Sequence, residues 1–130
     1  MTARRTTVLV VDDDTDFRAL AAFVVASEGL TAIEAADCRQ CLDVLRRDPE
    51  GVLAVLLDYY MPGMKPTLCV SAIRELIPPP VPVVLVTAAV DAGQRARELG
   101  LSHWLSKPFD LDDLRGILRA ARSEDARPAV

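Results

Sequence analysis

The chain has 130 residues, 14.1 kDa, with 51% hydrophobic and 26% charged residues, a net charge of −4 and a pI near 4.9. That is the size and balance of one globular domain with its own core, and the acidity, unrelieved by any Lys or Arg stripe, argues against a nucleic-acid partner. The longest apolar runs, such as VLAVLL, fall far short of the roughly 20 residues that cross a bilayer, and MTARRTTVLVVDDD runs into acids where a secretory signal would stay apolar.

Residues 6–11, TTVLVV, are continuous and rich in Val and Leu without alternation, which predicts a buried parallel strand. Phe17, Leu20, Ala21, Val24 and Val25 follow at helical spacing, with Asp14 or Thr15 as cap and Gly29 as stop. Residues 30–35, LTAIEA, half alternate and suit an edge strand. Asp37 caps a second helix with Cys38, Cys41, Leu42 and Leu45 inward, ended by Asp48-Pro49. Residues 52–57, VLAVLL, form another continuous strand. A third helix starts at Pro66 and runs through Cys69, Ala72, Ile73 and Leu76 to the prolines at 78–80.

Residues 82–87, PVVLVT, give a further buried strand. A helix from about Asp91 to Gly100 has only Ala92, Ala96 and Leu99 to bury and is expected to be the loosest element. The short HWLS, 103–106, reads as a last buried strand. Asp110 then caps a fifth helix with Leu111, Leu114, Ile117, Leu118 and Ala121 inward. The expected domain covers 1–122, and 123–130 read as a short fraying tail. Strands alternating with helices imply right-handed crossovers and an α/β, doubly wound parallel sheet covered on both faces.

In such sheets the reactive crevice lies beyond the carboxyl ends of the strands. Those ends carry Asp12 and Asp13, Asp58, Thr87 and Lys107. Three carboxylates in one crevice repel unless a cation offsets them, and oxygen-only ligands favour Mg²⁺, with Mn²⁺ as an alternative. A carboxylate can attack phosphorus to form an acyl phosphate, chemistry that rests on positioning and charge neutralisation; central Asp58 is the best nucleophile. With thirteen arginines and two lysines in the chain, a Lys at a strand end points to a compact charge at that place.

Other features read more plainly. CRQC at 38–41 lies on the apolar face of a helix and reads as core packing rather than metal or redox chemistry. The odd count of three cysteines without a signal sequence predicts free thiols, no structural disulfide and a cytoplasmic location. His103 reads as a surface residue, and the arginines of the second and fifth helices as a solvated face.

VLVVDDD, LLDYYMPGM, VLVTA and LSKPF stand in order, with Asp13, Asp58, Thr87 and Lys107 spaced by 45, 29 and 20 residues. At these motifs the sequence resembles the receiver domain of two-component response regulators, a chemotaxis-type single-domain regulator, over essentially the whole chain. The resemblance implies a five-stranded sheet of flavodoxin-like order 2-1-3-4-5 and a phosphorelay switch rather than a conventional enzyme. It implies that Asp58 accepts a phosphoryl group from a histidine kinase or phosphotransfer protein. Asp12, Asp13, Asp58 and the backbone carbonyl of Tyr60 would hold Mg²⁺, and Thr87 and Lys107 the phosphoryl oxygens.

By the same resemblance Trp104 is the switch aromatic, for which simple packing is an equal reading. Tyr60 and Ala89 flank the water path that governs autodephosphorylation, and the Lys107–Pro108 bond is cis. Output would pass through protein contacts on the face of the fourth helix, fifth strand and fifth helix, by a monomer or a phosphorylation-linked dimer. The few residues after the fifth helix are too short for an output domain. The rival readings are a pseudo-receiver scaffold without a phosphorylation cycle, a phosphatase of the haloacid dehalogenase type, and a flavodoxin-like cofactor binder whose phosphate the acids would repel.

Overall fold

A computed structural model describes residues 4–126. The elements in order are β1 Thr7–Val11, α1 Thr15–Ser27, β2 Thr31–Ala35, α2 Cys38–Arg47, β3 Val52–Asp58, α3 Pro66–Leu76, β4 Val83–Thr87, α4 Ala92–Glu98, β5 His103–Ser106 and α5 Leu111–Asp125. The five strands are parallel in the order β2-β1-β3-β4-β5, as the resemblance implied.

The unbroken apolar runs are explained by a sheet covered on both sides. Successive side chains of a strand point to opposite faces, so each run feeds two cores. Leu9, Val11, Val55, Leu57 and Leu85 pack with Cys41 and Leu45 of α2 and Ile73 of α3. Val8, Val10, Leu56, Val84 and Val86 pack with Val24 of α1 and Leu114 and Leu118 of α5. β3 lies at the centre and all seven of its residues are buried. Aspartate side chains cap three of the helices: Asp14 accepts the N–H groups of Asp16 and Phe17, Asp37 that of Gln40, and Asp110 that of Asp112. Gly29, at φ 76°, ends α1.

Four expectations are corrected. Leu20, placed on the inner stripe of α1, is 45% exposed, because Ala21, Val24 and Val25 take the centre of that stripe and leave Leu20 at its rim. β5 is not a buried strand. It has one neighbour, β4, and only Leu105 of its four residues is buried. Of the tail expected over 123–130, residues 127–130 lie outside the described residues and the helix runs to Asp125, whose carboxylate accepts the backbone N–H of Arg5 at 2.9 Å and so ties the helix end to the segment before β1.

The fourth concerns the cysteines. Cys38 and Cys69 form a disulfide between α2 and α3, where no disulfide was expected. Both residues lie on inner stripes, and the two helices pack side by side on one sheet face, which brings their Cα atoms to 6.0 Å. Cys41 remains a free buried thiol, and burial pushes its pKa up to about 12, so it stays protonated and packs as an apolar group. The Lys107–Pro108 bond is cis, as implied by the resemblance; Pro79–Pro80 is also cis. Among the described residues no helix is long and apolar enough to cross a membrane.

Candidate functional site

Strand register builds the site. Val11 of β1 pairs with Leu57 of β3, so the next residues, Asp12 and Asp58, emerge side by side. Asp58 pairs with Val86 of β4, which puts Thr87 one step beyond it. Thr87 pairs with Ser106, and the N–H of Lys107 extends that ladder to the Thr87 carbonyl at 2.8 Å. Residues scattered along the chain thus meet at the carboxyl edge of one sheet.

Asp12, Asp58 and Thr87 are buried, at 1%, 6% and 0% exposure, while Asp13 faces solvent. One carboxylate oxygen from each of Asp12, Asp13 and Asp58 lies within 4.8 Å of the others. The Lys107 ammonium donates to Asp12 Oδ2 at 2.6 Å and stands 3.8 Å from Asp58 Oδ1, so in this state its main partner is Asp12. Asp58 Oδ1 accepts the Tyr60 N–H at 3.3 Å, and Thr87 Oγ1 accepts the Ala89 N–H at 3.1 Å, leaving the hydroxyl proton for another acceptor.

Burial, and then the negative charge of Asp12, push the Asp58 carboxyl up to about 6; the Lys107 ammonium and the Tyr60 N–H oppose them, and Asp13 adds a smaller upward push. One ammonium among three carboxylates leaves a net negative pocket of oxygen donors, and that donor set fits a hard divalent cation such as Mg²⁺.

Phe17 has a role beyond the helix stripe on which the sequence placed it. The Lys107 Nζ lies 4.3 Å from the centroid of its ring, and that ring meets Phe109 edge to face at 5.6 Å. An aromatic one helical turn after Asp13, and another two residues after Lys107, were the available signal. Arg18 donates to the Asp12 carbonyl at 2.6 Å and pairs with Glu34, bracing the turn that carries the acids. Tyr59, also missed, accepts a hydrogen bond from Arg95 of α4.

Of the remaining expected residues, Tyr60 is 54% exposed beside the pocket and Ala89 is half-buried in the loop after β4. Trp104 is not gathered into the carboxylate cluster. It is 40% exposed, and a methyl group added at Gly93 of α4 would lie 3.0 Å from its Cζ2, so the ring rests on the start of that helix. His103 is exposed, as expected.

Comparison with known proteins agrees with this geometry. The family described as Response regulator receiver domain matches residues 8–119. Sporulation initiation phosphotransferase F of Bacillus subtilis is 32% identical over 114 residues, which cover 86% of this chain and 90% of that protein. The DNA-binding transcriptional regulator NtrC of Escherichia coli is 33% identical over 122 residues, 92% of this chain but only 25% of that longer protein. The high-resolution structure of the chemotaxis response regulator CheY4 of Vibrio cholerae superimposes with a TM-score of 0.78 at 25% identity, covering 90% of this chain and 98% of that one.

Proposed function

The chain belongs to the response regulator receiver family of two-component signalling, and on that premise we propose that it is a switch set by phosphorylation of Asp58. The observation that carries the proposal is the buried Asp58 carboxylate beside Asp12 and Asp13, with the Lys107 ammonium 3.8 Å away. Asp12, Asp13, Asp58 and the Tyr60 carbonyl would hold Mg²⁺, or Mn²⁺ in its place. Such an ion, when bound, neutralises charge where a phosphoryl group arrives.

The chain's own residues do the rest. A carboxylate held up to about 6 is ionised for the most part at neutral pH and is fixed by β3, so its oxygen is a positioned nucleophile. That oxygen bonds to phosphorus as the P–N bond of a phosphohistidine breaks, and the departing imidazole nitrogen keeps the electron pair and takes up a proton. Lys107, moving from Asp12, and the Thr87 hydroxyl receive the phosphoryl oxygens. Water reaching the acyl phosphate past Tyr60 and Ala89 bonds to phosphorus as the bond to the Asp58 oxygen breaks, which releases inorganic phosphate and returns the carboxylate.

The phosphoryl donor is a histidine kinase or a histidine phosphotransfer protein. Movement of Thr87 toward the phosphoryl group reaches Trp104, and output is a change in protein contacts on the face formed by α4, β5 and α5. The test is intact mass after exposure to acetyl phosphate with and without Mg²⁺. A Mg²⁺-dependent gain of one phosphoryl group, absent from Asp58→Asn, is expected. No gain by the folded protein would overturn the proposal and select a scaffold that lacks a phosphorylation cycle.

A further inference from the structure

The residue after the phosphoacceptor is joined to α4 by side chains. Arg95 Nη1 donates to the Tyr59 hydroxyl at 2.9 Å, and the guanidinium carbon lies 4.8 Å from the centroid of the same ring. Arg95 Nε also donates to Asp91 Oδ1 at 2.9 Å, and Asp91, although it stands at the N-cap of α4, makes no capping bond with its side chain. The carboxylate orients the arginine instead of closing the helix. Tyr59 is half-buried and packs against the core under α2 and α3, so the far end of this link is anchored.

The rest of α4 is lightly held. Ala92 and Ala96 are its only buried residues, and a methyl group each is little to locate a helix. A two-pronged arginine contact is therefore a large share of what fixes α4 against the loop after β3. On the opposite side of the helix start, Trp104 rests on Gly93. The backbone at this loop is itself tied to the phosphoacceptor, because Tyr60 donates its N–H to Asp58 Oδ1. Any group that occupies Asp58 competes for that oxygen and disturbs the Tyr59–Tyr60 segment.

We infer that Arg95 is a positioning residue that transmits occupancy of Asp58 to α4 through Tyr59. This rests on the proposed phosphorylation of Asp58. The link is a second connection between site and helix, separate from the Thr87 route, and it acts on the first turns of α4, where Trp104 lies.

The chain has a single tryptophan, so its emission reports on the start of α4 without a label. The experiment records that emission and the intact mass of the same samples during phosphorylation by acetyl phosphate with Mg²⁺. Wild-type protein is compared with Tyr59→Phe, Arg95→Met, the conservative Arg95→Lys and the double variant Tyr59→Phe/Arg95→Met. At equal phosphoryl occupancy, each of Tyr59→Phe and Arg95→Met is expected to lose about half or more of the phosphorylation-linked emission change. Arg95→Lys regains part of it, and the double variant loses no more than the larger single loss, since both changes cut one link.

A merely structural role would leave the amplitude intact at equal occupancy. Full amplitude in both single variants, or losses that add, would overturn the inference. Phosphoryl uptake by wild-type protein without any Trp104 response would overturn it too, while the proposed function stands; no uptake at all would remove both.

Discussion

β3 and α4 are each seven residues long and are built on opposite terms. β3 buries every residue, and each Leu or Val side chain so buried contributes roughly 1.5–3 kcal/mol. α4 buries two alanines and leans on polar contacts from Arg95. The element that presents Asp58 is thus held by burial along its whole length, while α4, linked to the loop after it through Arg95 and Tyr59, has little buried apolar surface to hold it. A switch set at Asp58, as proposed, would use such a division: a fixed point for chemistry and a lightly packed segment to report it.

The contrast can be broken directly. Leu57→Ala in β3 is expected to lower unfolding stability by about 2–5 kcal/mol, whereas Ala96→Gly in α4 lowers it by about 1 kcal/mol. Denaturant titrations of the two variants check this, and equal losses would remove the distinction between anchor and reporter. Next in size is the disulfide, which joins Cys38 and Cys69 across 31 residues on the α2–α3 side. A Cys38→Ser/Cys69→Ser variant is expected to lose roughly 3 kcal/mol in denaturant titration, with little change around α4 in hydrogen exchange.

The pH dependence of Asp58 sharpens the comparison at the end of β3. Its carboxyl is raised from an ordinary 3.8 to about 6, so the folded chain binds this proton more tightly than the unfolded chain does. The group's contribution to stability is fully present below the unfolded value and is lost as pH rises through the folded one. Asp58→Asn cannot titrate, so without divalent ions its melting temperature should gain on wild type between about pH 4 and pH 7. A constant difference across that range would show that the pocket does not hold the proton. The smallest effect is expected from Gly93→Ala, which would place a methyl group 3.0 Å from Trp104 Cζ2. The ring, partly in solvent, shifts, so Trp104 emission changes while the gain in helix propensity, about 1 kcal/mol, offsets the crowding.

The two regions also differed in how far they could be read from the sequence. β3 was plain, since a continuous aliphatic run ending in one aspartate has few other uses, and its register with β1 and β4, with that of β4 and β5, put Asp12, Asp13, Asp58, Thr87 and Lys107 at the strand ends where the sequence had placed them. α4 was legible only as weakness. Its sparse apolar residues matched the two buried alanines, but nothing in the order of residues tied Arg95 to Tyr59, which stands 36 positions earlier. Side-chain links across a fold depend on loop geometry that propensity and periodicity do not encode. The same reason hid the disulfide: CRQC drew attention to a local pair, while the partner of Cys38 was the cysteine on a different helix.

The bond between Cys38 and Cys69 also bears on the loop after β3. α3 begins eight residues after Asp58, and through Cys69 it is fastened to α2, so the two helices cannot part at that point without breaking a covalent bond. A disturbance starting in the loop after β3 meets a clamped pair of helices on one side and a two-alanine helix on the other. Under the proposed phosphorylation, the covalently joined pair is the stiffer boundary of that loop, and α4, held by two buried methyl groups and one arginine, is the softer one.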